Sequence, residues 1–344
     1  MVRVGIVGTR FGRLVHLPAF RADARCEVVG IAGRTPESGA RAAGEAGLAV
    51  AFPGWRALVE ARDVDVVAIA VPPADQPEIA IAAARAGKHV FCEKPVAASL
   101  DAARQTLAAV DAARVAHAVD FLFPEVPAWV EARRRLEAGE IGRVVHFAYT
   151  WHLETWASRT HADSWKTRSA DGGGALGNFA SHVFHNIEWL IGPVAALEGF
   201  TFGSASRQGC AVDGAVVLES GAAGRLSVST DACLGAGHVI EVFGERATLV
   251  LANRGADYVS GFSLAMGPRE SGRLTTVTPP DDASAADGRI AAVARIVTRF
   301  VDAIAAGGDV RPGLREGVRV QALVAAAAAM PVAARVEVPP PEPA

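Results

Sequence analysis

The stretch HVFCEKPV, residues 89–96, puts a lysine where its proton could be useful. An apolar run leads straight into Glu93, Lys94 and Pro95. The 344-residue chain carries 34 Lys and Arg, yet only three of them are lysines: Lys88, Lys94 and Lys166. Where any positive charge would serve, this sequence uses arginine. Arginine does not give up its proton in proteins, whereas a desolvated lysine does. Lys94 is therefore a candidate acid or base; a surface ion pair at a strand end is the competing reading.

A second candidate lies in GALGNFASHVFHNIEWLIG, residues 174–192. At about 100° per residue, Asn178, His182, His185 and Trp189 fall within roughly 60° of one another. Phe179, Val183, Ile187 and Leu190 form a separate apolar stripe. An Asn/His/His stripe below a glycine-rich DGGG turn suits acid–base work, although a lone helical histidine is usually structural. No HExxH is present and no third ligand stands at metal spacing, so no metal is expected.

A third candidate is GIVGTRFG, residues 5–12, which follows a strand pattern and opens a helix. Glycines there permit a tight turn, and a dinucleotide pyrophosphate can sit on the helix N-terminus. Gly8, Thr9, Arg10, Phe11 and Gly12 are the candidate contacts, with Arg10 standing where a second glycine is usual. A glycine-rich turn without a ligand remains the alternative. A dinucleotide site selecting the ribose 2′-hydroxyl places an acid about 20 residues on. Here Gly33 and Arg34 occupy that place, with Arg34 22 residues past Gly12 and Glu37 nearby. Arg34 would suit a 2′-phosphate, or it is an ordinary solvated arginine. VPPADQPEIA, from Val71 and Pro72, ends a further strand pattern where parallel sheets bind ligands, or is simply a strand stop.

These residues need a scaffold. Over the first 120 residues, short apolar runs (VRVGIVG, CEVVGIAG, VDVVAIAVP, KHVFCEK, AHAVDFLF) alternate with Ala- and Arg-rich helical stretches. Such alternation predicts a parallel sheet covered on both faces, a doubly wound α/β unit. Beyond residue 123 the texture changes. PAWVEARRRLEAGEIG and GALGNFASHVFHNIEWLIG each read as one amphipathic helix. From about 194 to 266, alternating runs joined by glycine turns predict a mainly antiparallel sheet, followed by helices around 288–306 and 314–330. The expected division is a Rossmann-like domain at 1–122 and an α+β domain at 123–344, without internal repeats.

Composition narrows the class. Half of the residues are apolar, but no run approaches the length of a membrane span. The first residues, MVRVGIVGTRFG, run directly into a strand pattern, which reads as a cytoplasmic protein. Four scattered cysteines form no CxxC pair, and a net charge of −3 without a basic block offers nothing to nucleic acid. The ending VEVPPPEPA reads as a frayed, proline-rich segment.

AGKHVFCEKP, SWKT, DGGGALGNFASH, EAGEIGRVVHF and RPGLREGVRVQALV occur in an order that resembles the Gfo/Idh/MocA oxidoreductases, the glucose–fructose oxidoreductase and inositol dehydrogenase group. The resemblance implies that Lys94 reaches the oxygen on the reacting carbon beside a nicotinamide. Pro95 would shape the backbone, often through a cis peptide bond, and Glu93 would lie near the ribose or orient the lysine. Two departures stand out. The family's helix motif commonly reads Asp-x-x-x-His, and the matching residues here are Asn178 and His182, with His185 at a further acidic position. The histidine often found after the strand-closing prolines is Gln76.

The implied activity is NAD(P)-dependent hydride transfer at a carbinol carbon of a sugar, cyclitol or sugar derivative. NADP is the expected cofactor and NAD the alternative. Lys94 and His182, beside Asn178, would handle the hydroxyl proton. Trp165, Lys166 and His185 would border the substrate, with Trp151, His152 and Phe123 as weaker candidates. Other readings are a non-catalytic dinucleotide sensor and an NAD-retaining glycoside hydrolase or eliminase. The expected partners are a small sugar substrate and further copies of the chain, as a homodimer or homotetramer; neither nucleic acid nor a membrane is expected.

Overall fold

The computed structural model describes residues 1–204, 207–255, 257–278, 287–308 and 310–330. The proline-rich ending lies outside the described residues.

The first sheet contains β1 (Val2–Val7), β2 (Cys26–Ala32), β3 (Ala51–Phe52), β4 (Val66–Ile69), β5 (His89–Cys92) and β6 (His117–Val119). The strand order is β3-β2-β1-β4-β5-β6, and every pairing is parallel. β4 is buried along its whole length, as a strand covered on both faces must be. The covering helices are α1 (Leu17–Arg21), α2 (Pro36–Ala46), α3 (Trp55–Glu60), α4 (Gln76–Arg85) and α5 (Leu100–Ala113). Thr35 caps α2 by accepting from the Ser38 N–H, and Ser99 caps α5 by accepting from Ala102. The doubly wound unit has the expected form, but two strands are shorter than their apolar runs. Val71 and Pro72 lie beyond β4, and Asp120 begins a loop after β6.

The second unit begins with α6 (Pro127–Glu137), which stops before Ile141 and Gly142 rather than including them. β7 (Val144–His152), α7 (Trp156–Thr160) and α8 (Ser181–Leu190) follow. Next come β8 (Val194–Ser204), β9 (Arg207–Leu218), β10 (Ala223–Ser229), β11 (Gly237–Gly244), β12 (Ala247–Asn253), β13 (Ser263–Pro268) and β14 (Thr275–Thr276). Their order is β14-β13-β12-β11-β7-β10-β9-β8, antiparallel except for the parallel pair of β7 with β10. β7 lies at the centre of this sheet, although the alternating runs predict the sheet only from about 194. One face is packed: Phe147, Tyr149 and Trp151 of β7 are buried. On the other face Val239, Phe243 and Val250 are only half-buried.

The chain then returns to its beginning. α9 (Gly288–Ala306) packs against α1 and the turn preceding it, and α10 (Leu314–Ala328) packs against α5 as well as α8. Arg299 forms a two-pronged ion pair with buried Glu125, at 2.8 and 2.5 Å, and Arg295 donates to the Glu125 carbonyl. The outer edge of β6 is covered: the Val119 N–H donates to the Pro312 carbonyl at 3.0 Å, and the Leu314 N–H donates to His117 Nδ1. Covering an edge in this way removes unpaired backbone groups that could recruit another strand.

Candidate active site

A cleft of about 1520 Å³ runs along the carboxyl ends of β1, β2, β4 and β5 and is walled on the far side by the second unit. Gly8, Thr9, Arg10 and Phe11 line it from the glycine loop, Arg34 from the end of β2, and Val71 and Pro72 from the end of β4. The loop has the shape that a dinucleotide needs. Gly8 has φ +122°, and a Cβ there would meet the Ala70 carbonyl oxygen at 2.2 Å, so the two crossovers touch backbone to backbone. Gly33 serves a similar purpose: a Cβ there would meet Ser38 Oγ at 2.3 Å, at the start of α2. The volume exceeds that of an ordinary small-molecule pocket, leaving room for a dinucleotide with a sugar beside it.

Lys94 enters the cleft at the end of β5. The Lys94–Pro95 peptide is cis. Gln76, fully buried at the start of α4, donates from Nε2 to the Pro95 carbonyl at 2.7 Å. The Gln76 side chain thus holds the backbone turn from below instead of facing the cleft. Lys94 Nζ donates to the Asn178 backbone carbonyl at 2.9 Å and to Asn178 Oδ1 at 3.1 Å. Burial pushes the Lys94 ammonium down to about 8; Glu93 opposes this, and the charge of Lys166 adds to it. An amide supplies Asn178 with an acceptor but no counter-charge, so this lysine can shed its proton near neutral pH.

His182 also lines the cleft and is only 4% exposed. Burial, with the neighbouring charge of Lys94, holds its imidazole well below the usual histidine range, so it is neutral at pH 7. Its Nδ1 has no hydrogen-bond partner among the described residues. The segment carrying these residues is not a single α-helix. Ala175–Ala180 form a π-helical turn before α8. A π turn changes the angular step, so Phe179, placed by a uniform 100° on the apolar stripe, lines the cleft beside Asn178.

The same change of phase takes His185 away from the cleft, contrary to its placement with the substrate residues. It is buried and stacked on Phe121, ring centroids 4.1 Å apart and planes 5° from parallel. Gly12 also lies behind the cleft lining: a Cβ there would meet Ile6 Cγ2 at 2.8 Å, so its smallness lets the first helical turn pack on β1. Phe123 is fully buried among Trp129, Trp151 and His182. His152 has its ring nitrogen Nε2 2.8 Å from Ser227 Oγ on the sheet face turned away from the helices. Trp151, Trp165 and Lys166 do line the cleft.

Sequence reasoning missed one constellation. His16, fully buried, points Nε2 at Glu93 Oε1 (3.2 Å) and at Asp120 Oδ2 (3.6 Å). Glu93 and Asp120 line the cleft. Among the described residues this is the one group whose three potential ligand atoms lie within 4.8 Å. Burial alone would lower the His16 imidazolium, but hydrogen bonding to Asp120 and Glu93 outweighs it and raises the group to about 9. Burial and the Glu93 charge raise the Asp120 carboxyl. Tyr258 and Arg289 also line the cleft, with no motif in the sequence to mark them; the guanidinium of Arg289 lies 5.2 Å from the Phe11 ring centre and 5.9 Å from that of Tyr258.

Two family models match the chain. The oxidoreductase family with an NAD-binding Rossmann fold covers residues 2–121, and the GFO/IDH/MocA C-terminal domain covers 129–250. An uncharacterized oxidoreductase from Synechocystis is 31% identical over 93% of this chain and 91% of its own length. Inositol 2-dehydrogenase from Rhizobium meliloti is 26% identical over 95% and 96%. Levoglucosan dehydrogenase from Pseudarthrobacter phenanthrenivorans is 35% identical over 57% of this chain and 53% of that protein. A levoglucosan dehydrogenase structure in complex with NADH and levoglucosan superposes with a TM-score of 0.84 at 26% identity, covering 95% of this chain and 96% of the other.

Proposed function

The chain belongs to the GFO/IDH/MocA oxidoreductase family, and on that premise we propose that it oxidises or reduces one carbinol carbon of a sugar or cyclitol with NAD(P). The observation that carries this reading is Lys94 Nζ, held in the cleft by Asn178 next to neutral His182. When bound along the glycine loop, the nicotinamide supplies hydride transfer at its C4. Gly8 to Phe11 would hold the pyrophosphate, and Val71, Pro72 and Glu93 would border the nicotinamide end. In the oxidative direction the neutral Lys94 amine takes the hydroxyl proton, and in reduction the ammonium returns it. His182 offers an uncharged hydrogen bond that orients the hydroxyl, and Trp165 and Lys166 close the substrate side. Incubating the protein with NAD⁺ or NADP⁺ and a panel of sugars, cyclitols and anhydrosugars should give cofactor absorbance at 340 nm with at least one. Product formed without net cofactor reduction would replace this reading with a hydrolase that oxidises its substrate transiently.

NADP is the cofactor favoured by the end of β2. Among the described residues, those that line the cleft from the end of β2 are Gly33 and exposed Arg34, without a carboxylate; Glu37, on the first turn of α2, is engaged by the Thr35 side chain and its own backbone N–H. A guanidinium forked onto a 2′-phosphate gains charge-assisted hydrogen bonds worth roughly 1.5–3 kcal/mol. Arg34→Ala should therefore weaken NADP⁺ at least tenfold by titration and leave NAD⁺ nearly unchanged. Equal affinities in both proteins would reduce Arg34 to a platform for the adenine.

The half-apolar sheet face bearing Val239, Phe243 and Val250 supports a homo-oligomer, a two-fold dimer or a tetramer built from it. Light scattering at micromolar concentration should give two or four times the chain mass. A monomer would count against this use of the face.

A further inference from the structure

We propose that His16 is a positioning residue for Lys94: its imidazole binds Glu93 and Asp120 from beneath the cleft, fixing the turn that presents the lysine and cancelling one of the two carboxylate charges. The proposal rests on the reading of Lys94 as acid and base. His16 lies on the turn after the glycine loop, Glu93 at the end of β5 and Asp120 at the end of β6, so one ring ties three separate crossovers together. The ring cannot swing. Phe11 and Phe91 meet it edge-on, with centroids 5.4 and 5.1 Å away. Glu93 uses its other oxygen, Oε2, to accept from the Lys94 backbone N–H at 3.1 Å. The Asp120 N–H in turn donates to the Cys92 carbonyl at 2.9 Å. Every link from His16 to the lysine backbone is thus a hydrogen bond or a close polar contact.

Charge gives the arrangement a second effect. Around pH 8, above the Asp120 carboxyl at about 7 and below the His16 imidazolium at about 9, an imidazolium and two carboxylates sum to −1 next to Lys94. Removing Asp120 leaves zero, and removing both His16 and Asp120 returns the sum to −1. Among the described residues, Lys166, His182, Tyr258, Cys92, Arg10 and Arg289 also face this region, and none is altered in the comparison.

The chain's three lysines make the test direct and independent of substrate. Limiting acetic anhydride acetylates neutral amines, so peptide mass spectrometry across a pH series gives the midpoint for Lys94. Lys88, tied to the Ala61 and Val64 carbonyls, is the internal control. The midpoint should fall by about one unit in Asp120→Asn, rise in His16→Gln, and return near the wild-type value in the double variant. Should His16→Gln fail to fold, the fall in Asp120→Asn still decides the charge argument. An unmoved midpoint in Asp120→Asn, or both single variants moving it in one direction, would overturn the proposal. Stoichiometric metal in the purified protein that is lost in His16→Gln would overturn it as well. Turnover surviving in Lys94→Ala would instead defeat the acid–base reading and leave the midpoints standing.

Discussion

Replacing Lys94 with alanine is expected to lower kcat by a factor of about 10²–10⁴, the range for loss of a positioned acid or base, while cofactor affinity stays close to normal. The asymmetry follows from the geometry. Lys94 Nζ is held toward Asn178, whereas the residues proposed to hold the dinucleotide line the cleft from the glycine loop and the end of β2. Lys94→Arg should also fail, because arginine restores the charge but cannot release the proton. The pH dependence has a definite sign. Oxidation requires the neutral amine, so kcat for oxidation rises as pH rises through about 8. Reduction requires the ammonium and falls over the same interval. Both limbs should vanish in Lys94→Ala, and stopped-flow measurement of hydride transfer in each direction checks this. Full turnover on the same substrate would remove Lys94 from the chemistry.

Gly8→Ala should damage stability and cofactor binding together. At φ +122° an L-residue is strained, and its Cβ would overlap the Ala70 carbonyl at 2.2 Å. Relief would require separating β1 from β4, but the Gly8 N–H donates to Ala32 and the Ala70 N–H to Val7, at 2.9 and 2.8 Å. Left-handed strain and overpacking together cost about 2–5 kcal/mol. The expected result is a clearly lower melting transition, with NAD(P) affinity reduced at least tenfold because the loop shifts. An alanine variant with wild-type melting and binding would show that the loop relaxes freely. Gly47→Ala at the end of α2 is a useful contrast. It also has positive φ, but nothing lies within 4 Å of its Cβ, so only backbone strain is at stake.

Features written locally in the chain were legible. The continuous apolar runs announced the buried parallel strands, and the rarity of lysine singled out Lys94 without any structural knowledge. Features arising from distant pairing were not. β7 escaped notice because its alternating aromatics and histidines gain their meaning only between β10 and β11, more than 70 residues downstream. The π turn at Ala175–Ala180 broke the uniform helical step, so His185 was placed in the cleft and Phe179 in the core, the reverse of their positions. His16 gave no signal of its own. Its carboxylate partners lie 77 and 104 residues away, and Asp120 sat inside what read as a strand. An acid within an apparently buried strand was the one available clue.

The covered edge of β6 also constrains the order of events on the ribosome. Every strand of the first sheet has been synthesised by Val119, but the carbonyl that pairs with its N–H belongs to Pro312, and the helix packed against α5 begins at Leu314. During nearly two hundred residues of translation the nascent sheet keeps an open hydrogen-bonding edge, and the faces later covered by α9 and α10 stay bare. Open edges are where nascent chains associate wrongly. A fragment ending at residue 122 should accordingly sediment as aggregate, and co-expressing residues 287–330 should return part of it to the supernatant. The nucleotide-binding half is thus early in the sequence and late to mature.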